Sequence, residues 1–109
     1  MEMHQVRYFL AVAELLNFSR AAKKCEVSQP SLSRAIRALE DEFGGPLFRR
    51  EGRNTHPSDL GRMVHPYVEQ VYAESLAAQR DGQGFFHLQE VPAQTRNHEH
   101  DCATWIAAT

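Results

Sequence analysis

The sequence predicts a mostly α-helical domain: a three-helix core, a small β-hairpin, and a long fourth helix that continues the chain. Three observations carry this. Apolar residues recur at helical spacing in the stretches Met3 to Leu16, Ser28 to Phe43 and Ser58 to about Ala78. Serines of the capping type, Ser19, Ser28 and Ser58, stand just ahead of helical stretches. Gly44-Gly45-Pro46 and Gly52 bracket a short segment that lacks the helical period. With 109 residues, the chain makes one compact domain, or one small domain with a tail.

The first helix is expected over roughly Met3 to Leu16, with Val6, Phe9, Leu10, Ala13 and Leu16 forming one apolar stripe. Asn17-Phe18 breaks that pattern, and Ser19 is the expected cap of a short second helix, Arg20 to about Cys25. Ala21 and Ala22 carry little bulk there, so another helix can cross closely. Glu26-Val27 is a turn with Val27 as its buried plug. Ser28 then caps a third helix to about Phe43, with Pro30 in its first turn, where a missing N–H costs nothing. Leu32, Ile36, Leu39 and Phe43 line one face of it. At about 100° per residue, Pro30, Arg34, Arg37 and Asp41 point the other way, and Ser31 and Ser33 lie on the flanks.

Leu47-Phe48-Arg49-Arg50 is expected as a short strand, Glu51-Gly52-Arg53-Asn54 as a turn, and Thr55-His56 as the return strand. Ser58 caps the fourth helix, expected to end at Ala78 or Arg80 and to bend near Arg62 to Pro66. An interior proline costs roughly 3 kcal/mol. Gly82-Gln83-Gly84 is expected to break the helix, and the remainder to Thr109 shows no sustained period. The expected organisation is thus a compact unit at 1–57, a long helix at 58–80 and an irregular tail at 81–109.

Net charge is −2, yet the basic residues are clustered. Arg20, Lys23, Lys24, Arg34 and Arg37 face a single acid, Glu26, within one stretch, and Arg49, Arg50 and Arg53 face only Glu51 in the next. Such patches suggest an anion-binding face; charge alone also allows plain solvated helix surfaces. Two short helices joined by a tight turn, the second exposing arginine and serine, describe a helix-turn-helix. Gln29, Ser31, Ser33, Arg34 and Arg37 supply donors: arginine can meet guanine bidentately, glutamine can pair with adenine, and serine reaches a base or a phosphate. The helix starts at Ser19 and Ser28 aim free N–H groups that suit phosphates. A hairpin carrying Arg49, Arg50 and Arg53 can lie on the backbone or enter the minor groove as a wing.

The order of residues sharpens this. Tyr8-Phe9-Leu10-Ala11-Val12-Ala13-Glu14, Phe18-Ser19-Arg20-Ala21-Ala22 and Val27-Ser28-Gln29-Pro30-Ser31-Leu32-Ser33-Arg34 are followed by Ile36-Arg37-Ala38-Leu39-Glu40. Leu47-Phe48-Arg49-Arg50, Gly52-Arg53 and Leu60-Gly61-Arg62 complete the series. This ordered set resembles the N-terminal DNA-binding region of the LysR-type transcriptional regulators over Met1 to about Arg80. The resemblance implies a winged helix-turn-helix and a linker helix that pairs two subunits. It implies groove-reading roles for Gln29, Pro30, Ser33 and Arg34, and wing contacts for Arg50 and Arg53. Val64, Val68, Val71 and Tyr72 look like seam positions for the partner helix. The expected partners are double-stranded DNA and a second copy of the chain, arranged to read an interrupted palindrome.

The family continues into a larger α/β effector-binding domain, and Gln94 to Thr109 does not resemble its start; a small-molecule effector is therefore not expected. A second reading is an interaction module that pairs with full-length relatives and blunts them.

Other chemistry is not expected. The serines stand at caps and on the reading face, so no set for nucleophilic catalysis emerges and an enzyme is excluded. His98-Glu99-His100-Asp101-Cys102 lacks the spaced pairs of a structural zinc site, and no metal or cofactor is expected. Cys25 and Cys102 do not make a disulfide framework; Cys25 is expected as a small buried residue. No apolar run spans a membrane and no secretory signal is visible, so a cytoplasmic setting is expected.

Overall fold

The computed structural model describes residues 1–87. Their order is α1 (Met3–Leu15), α2 (Phe18–Lys24), α3 (Gln29–Phe43), β1 (Phe48–Glu51), β2 (Asn54–Pro57) and α4 (Asp59–His87). The chain divides into two units, residues 1–73 and residues 74 onward. The first holds the three-helix core, the hairpin and the start of α4.

The core is one apolar cluster. Val6, Phe9 and Val12 of α1, Ala21 and Ala22 of α2, and Leu32, Ile36 and Leu39 of α3 are all buried in it, with Leu47 and Phe48 closing one end. Fully burying a leucine or phenylalanine contributes roughly 1.5–3 kcal/mol each. The α1 stripe differs from expectation. Tyr8, Ala11 and Val12 are buried beside Val6 and Phe9, whereas Leu16 is exposed. Leu16 ends α1 in the left-handed region (φ 52°), which turns its side chain out of the helical period.

The second helix begins earlier than Ser19 suggested. Asn17 is its cap, with Asn17 Oδ1 accepting from the Arg20 N–H at 2.8 Å. An asparagine caps as well as a serine does, so Asn17 can take the role that Ser19 was expected to fill. Ser28 does cap α3, its Oγ accepting from the Ser31 N–H at 3.2 Å. Gly44, at φ 83°, closes α3 in the left-handed conformation that glycine adopts without penalty.

Phe48↔Pro57, Arg49↔His56, Arg50↔Thr55 and Glu51↔Asn54 set the antiparallel register of the hairpin. Its two-residue loop is Gly52-Arg53, with positive φ only at Gly52, the φ pattern of a type II′ turn. The hairpin base is tied at several points. The Leu47 N–H donates to Glu40 Oε2 at 2.7 Å, the Ser58 N–H donates to the Leu47 carbonyl at 2.9 Å, and Ser58 Oγ donates to the Pro46 carbonyl at 2.5 Å. Ser58 Oγ also accepts the Gly61 N–H at 3.0 Å, capping α4. Gly61 must be glycine here, because a Cβ would run into the Leu47 carbonyl.

The fourth helix is continuous, as expected, but longer than expected. It is one helix through Pro66, which sits on the exposed side, where water can satisfy the carbonyl its ring leaves without a donor. It also passes Gly82 and Gly84 and reaches His87, so the boundary at Arg80 is not observed. A glycine costs a helix about 1 kcal/mol against alanine, too little on its own to stop one. In the second unit, Leu76 is exposed and Arg80 pairs with Asp81 at 3.5 Å. The tail features at His98 to Cys102 lie outside the described residues.

Candidate nucleic-acid interface

The candidate residues begin with the α3 N-terminus. Ser28 Oγ donates to Ser31 Oγ at 2.8 Å, and Gln29 Nε2 donates to Ser33 Oγ at 3.0 Å, one helical turn apart. Those bonds hold the polar side chains in a defined array before any partner arrives. Pro30, Arg34 and Arg37 are exposed, while Gln29, Ser31 and Ser33 are half-buried. The burial of Leu32, Ala35, Ile36 and Leu39 on the other side of the same helix is what aims this edge outward.

The hairpin is brought against that helix. Strand alternation sends Phe48 and Arg50 to one face and Arg49 to the other. Phe48 is buried, in edge contact with the Phe18 ring at 5.9 Å. Arg50 lays its guanidinium over that same Phe18 ring, 3.9 Å from the centroid. A cleft results, lined by Phe18, Ser33, Ile36, Arg37, Glu40, Phe48 and Arg50, with Glu40 accepting the Leu47 N–H through one carboxylate oxygen. Arg37 and Arg50 thus meet at one place, Arg53 sits in the hairpin loop, and Arg49 faces away beside His56. Phe18 was not among the expected site residues. Its signal was an aromatic at the first position of α2 and an arginine two residues after a buried aromatic on a strand.

The arginines of α3 and the hairpin stand together without acidic partners. Among the described residues, none of Arg34, Arg37, Arg49, Arg50 and Arg53 takes part in an ion pair. All five are exposed. Elsewhere the cations are mixed: Lys24 pairs with Glu14 at 2.8 Å, and that hydrogen bond holds the ammonium above its usual pKa, whereas Arg7, Arg20 and Lys23 make no ion pair among the described residues.

Two of the four seam positions expected on α4 are buried within this chain. Val64 and Val68 are 7% and 2% exposed and belong to the core of their own domain, with Tyr72 packed beside it. Both belong to the same buried cluster as Phe9, Leu47 and Phe48. The apolar side chains α4 does expose in the first unit are Met63 (59%) and Tyr67 (68%), and Val71 is half-buried. Cys25 is half-buried with a free thiol. Among the described residues there is no cluster of metal-ligating side chains and no helix long and apolar enough to cross a membrane.

Comparison with known proteins places this architecture. The chain is 42% identical to the HTH-type transcriptional regulator IlvR of Caulobacter vibrioides, covering 76% of this chain and 30% of the relative. It is 42% identical to the HTH-type transcriptional regulator BudR of Klebsiella aerogenes, covering 77% and 59%. The chain therefore spans less than two thirds of the length of these curated relatives. Among solved structures, the BenM DNA-binding domain in complex with catB site 1 DNA superposes with a TM-score of 0.73 at 32% identity, over 78% of this chain and 96% of that one. The fold is a winged helix-turn-helix, and the relatives are regulators rather than enzymes. Residues 3–62 match the model of the bacterial regulatory helix-turn-helix proteins of the lysR family, and the chain belongs to that family.

Proposed function

We propose that this chain binds double-stranded DNA sequence-specifically as a cytoplasmic transcriptional regulator, with α3 in the major groove and the β1–β2 hairpin on the backbone or in the minor groove. The observation that carries it is the set of exposed arginines on α3 and the hairpin that no acid neutralises, on a chain whose net charge is negative. Unpaired guanidiniums left facing water are what a polyanion requires. Gln29, Pro30, Ser33 and Arg34 read base edges, Ser28, Ser31 and Arg37 reach the backbone, and Arg49, Arg50 and Arg53 serve the wing. The BenM complex supports this reading, because there a DNA-binding domain of the same fold is in complex with catB site 1 DNA.

The protein acts as a dimer through the exposed face of α4, with Met63 and Tyr67 at its centre and Val71 beside them. Two copies related by a two-fold axis then read two half-sites.

The test is selection of bound duplexes from a random pool, followed by fluorescence anisotropy on the winner over a range of salt. Log affinity should fall against log salt by about 0.9 per phosphate neutralised. A flat salt response, or a pool that never converges, would overturn the proposal.

A further inference from the structure

We propose that Phe18 is a positioning residue for the wing: its ring holds the Arg50 guanidinium in the orientation that meets a DNA phosphate. The inference rests on the DNA-binding reading and adds to it a residue that touches no nucleic acid.

The guanidinium carbon of Arg50 lies 3.9 Å from the Phe18 centroid, close enough for face contact with the planar group. An exposed arginine otherwise samples many rotamers, and fixing it costs binding free energy. Stacking one face of the guanidinium on a ring removes much of that cost and leaves its in-plane N–H donors free for an acceptor. The ring is itself fixed. Phe18 opens α2, stands edge-on to buried Phe48 at 5.9 Å, and belongs to the half-buried layer around the core. Phe48 and Arg50 share one strand face, so a single ring seats the strand's buried aromatic and its exposed cation together. Neither an acid nor a backbone carbonyl of the described residues takes that guanidinium. Arg37 and Ser33 of α3 line the same cleft, so the pre-set Arg50 joins the surface that α3 offers.

A double-mutant cycle on the full chain with the selected duplex tests this. Phe18→Leu removes the ring at similar volume and should weaken binding about two- to fivefold, the span of an exposed cation–π contact. Phe18→Tyr keeps the ring and should bind within about twofold of the parent. Arg50→Ala should cost about tenfold, as a charged hydrogen bond does. In the Arg50→Ala background, Phe18→Leu should add nothing. An equal further loss in that background would overturn the inference, because Phe18 would then act through the fold and not through Arg50; so would a failure of Phe18→Tyr to retain binding. Melting curves on each variant identify a purely structural loss, which Phe18→Leu would show with and without Arg50. If the parent chain bound no duplex, the underlying reading would fall and this inference with it. Strong parental binding with an additive cycle would sink the role of Phe18 alone.

Discussion

Charge is handled differently in two parts of the first unit. Around α1 and the start of α4, several charged side chains find partners within the chain: Glu14 with Lys24 and Asp59 with Arg62, while Glu69 stands 3.3 Å from His65 and Arg7 makes no ion pair among the described residues. On α3 and the hairpin, five exposed arginines have none among the described residues. The apolar surface is distributed the other way. α4 exposes Met63 and Tyr67, whereas α3 and the hairpin turn Leu32, Ile36, Leu39 and Phe48 inward. One region is therefore prepared for an anion and the other for an apolar neighbour. Exposed ion pairs add little stability, so leaving the arginines unpaired costs the fold almost nothing.

The largest effect should come from the junction both regions share. Gly61→Ala puts a methyl group against the Leu47 carbonyl, where the hairpin base, Ser58 and α4 are tied together. Backbone cannot yield as a flexible side chain does, so we expect a loss of about 2–4 kcal/mol. Thermal melting should show it, and DNA binding and dimer formation should fall together. A variant that melted like the parent would mean that the two regions do not depend on this junction.

Arg34→Ala separates them. Arg34 is exposed and makes no ion pair, so the melting temperature should stay within about a degree or two of the parent. Affinity for the selected duplex should drop about tenfold or more, with relaxed preference at one base position. Binding to random duplex should fall less. An unchanged selectivity would remove Arg34 from the reading set.

Changing Met63 and Tyr67 together to serine probes the other side. Both are largely exposed, so the monomer should keep its fold. Sedimentation should shift towards monomer, and affinity for a two-half-site duplex should fall about tenfold while a single half-site binds as before. Loss on the half-site as well would make α4 part of the DNA surface.

A smaller, opposite change is expected at Glu26. It holds φ 59° in the turn between α2 and α3, a conformation that costs an ordinary residue roughly 1 kcal/mol. Glu26→Gly should raise stability by about 0.5 kcal/mol once the extra freedom of the unfolded glycine is set against it. No rise in the melting temperature would show that the surrounding turn, not the backbone angle, sets the stability there.

How far the sequence disclosed these regions depended on what decided each one locally. The start and end of α3 followed from Ser28 and the two glycines after Phe43, because caps act over a few residues. The division of α3 into a buried apolar face and an exposed polar one followed from the same period. The start of α2 did not, since Asn17 and Ser19 are equally good caps and only packing chooses between them. The role of Val64 and Val68 was also hidden. A helix with apolar residues on more than one side does not state which side meets its own core. Phe18 looked like an interruption because its partners, Phe48 and Arg50, lie about thirty residues away in the chain.

The paired side supplies the smallest prediction and the control for the rest. Glu14 accepts a hydrogen bond from Lys24 at 2.8 Å, which raises the lysine above its usual value. A raised lysine stabilises the fold below its unfolded pKa of 10.5, and the contribution disappears only as pH climbs through the still higher folded value. Between pH 6 and 9 the pair is therefore constant, and because both side chains are about half exposed or more, water screens it. Glu14→Gln should leave the melting temperature and its pH dependence over that range unchanged within error. It also leaves Lys24 as a cation without a partner, which resembles the arginines of α3 in charge but not in position. If exposure of an unpaired cation were all that DNA binding required, Glu14→Gln would strengthen binding and steepen the salt dependence. Unchanged values would show that the helix and hairpin carrying a cation, and not its lack of an acid alone, decide what it does.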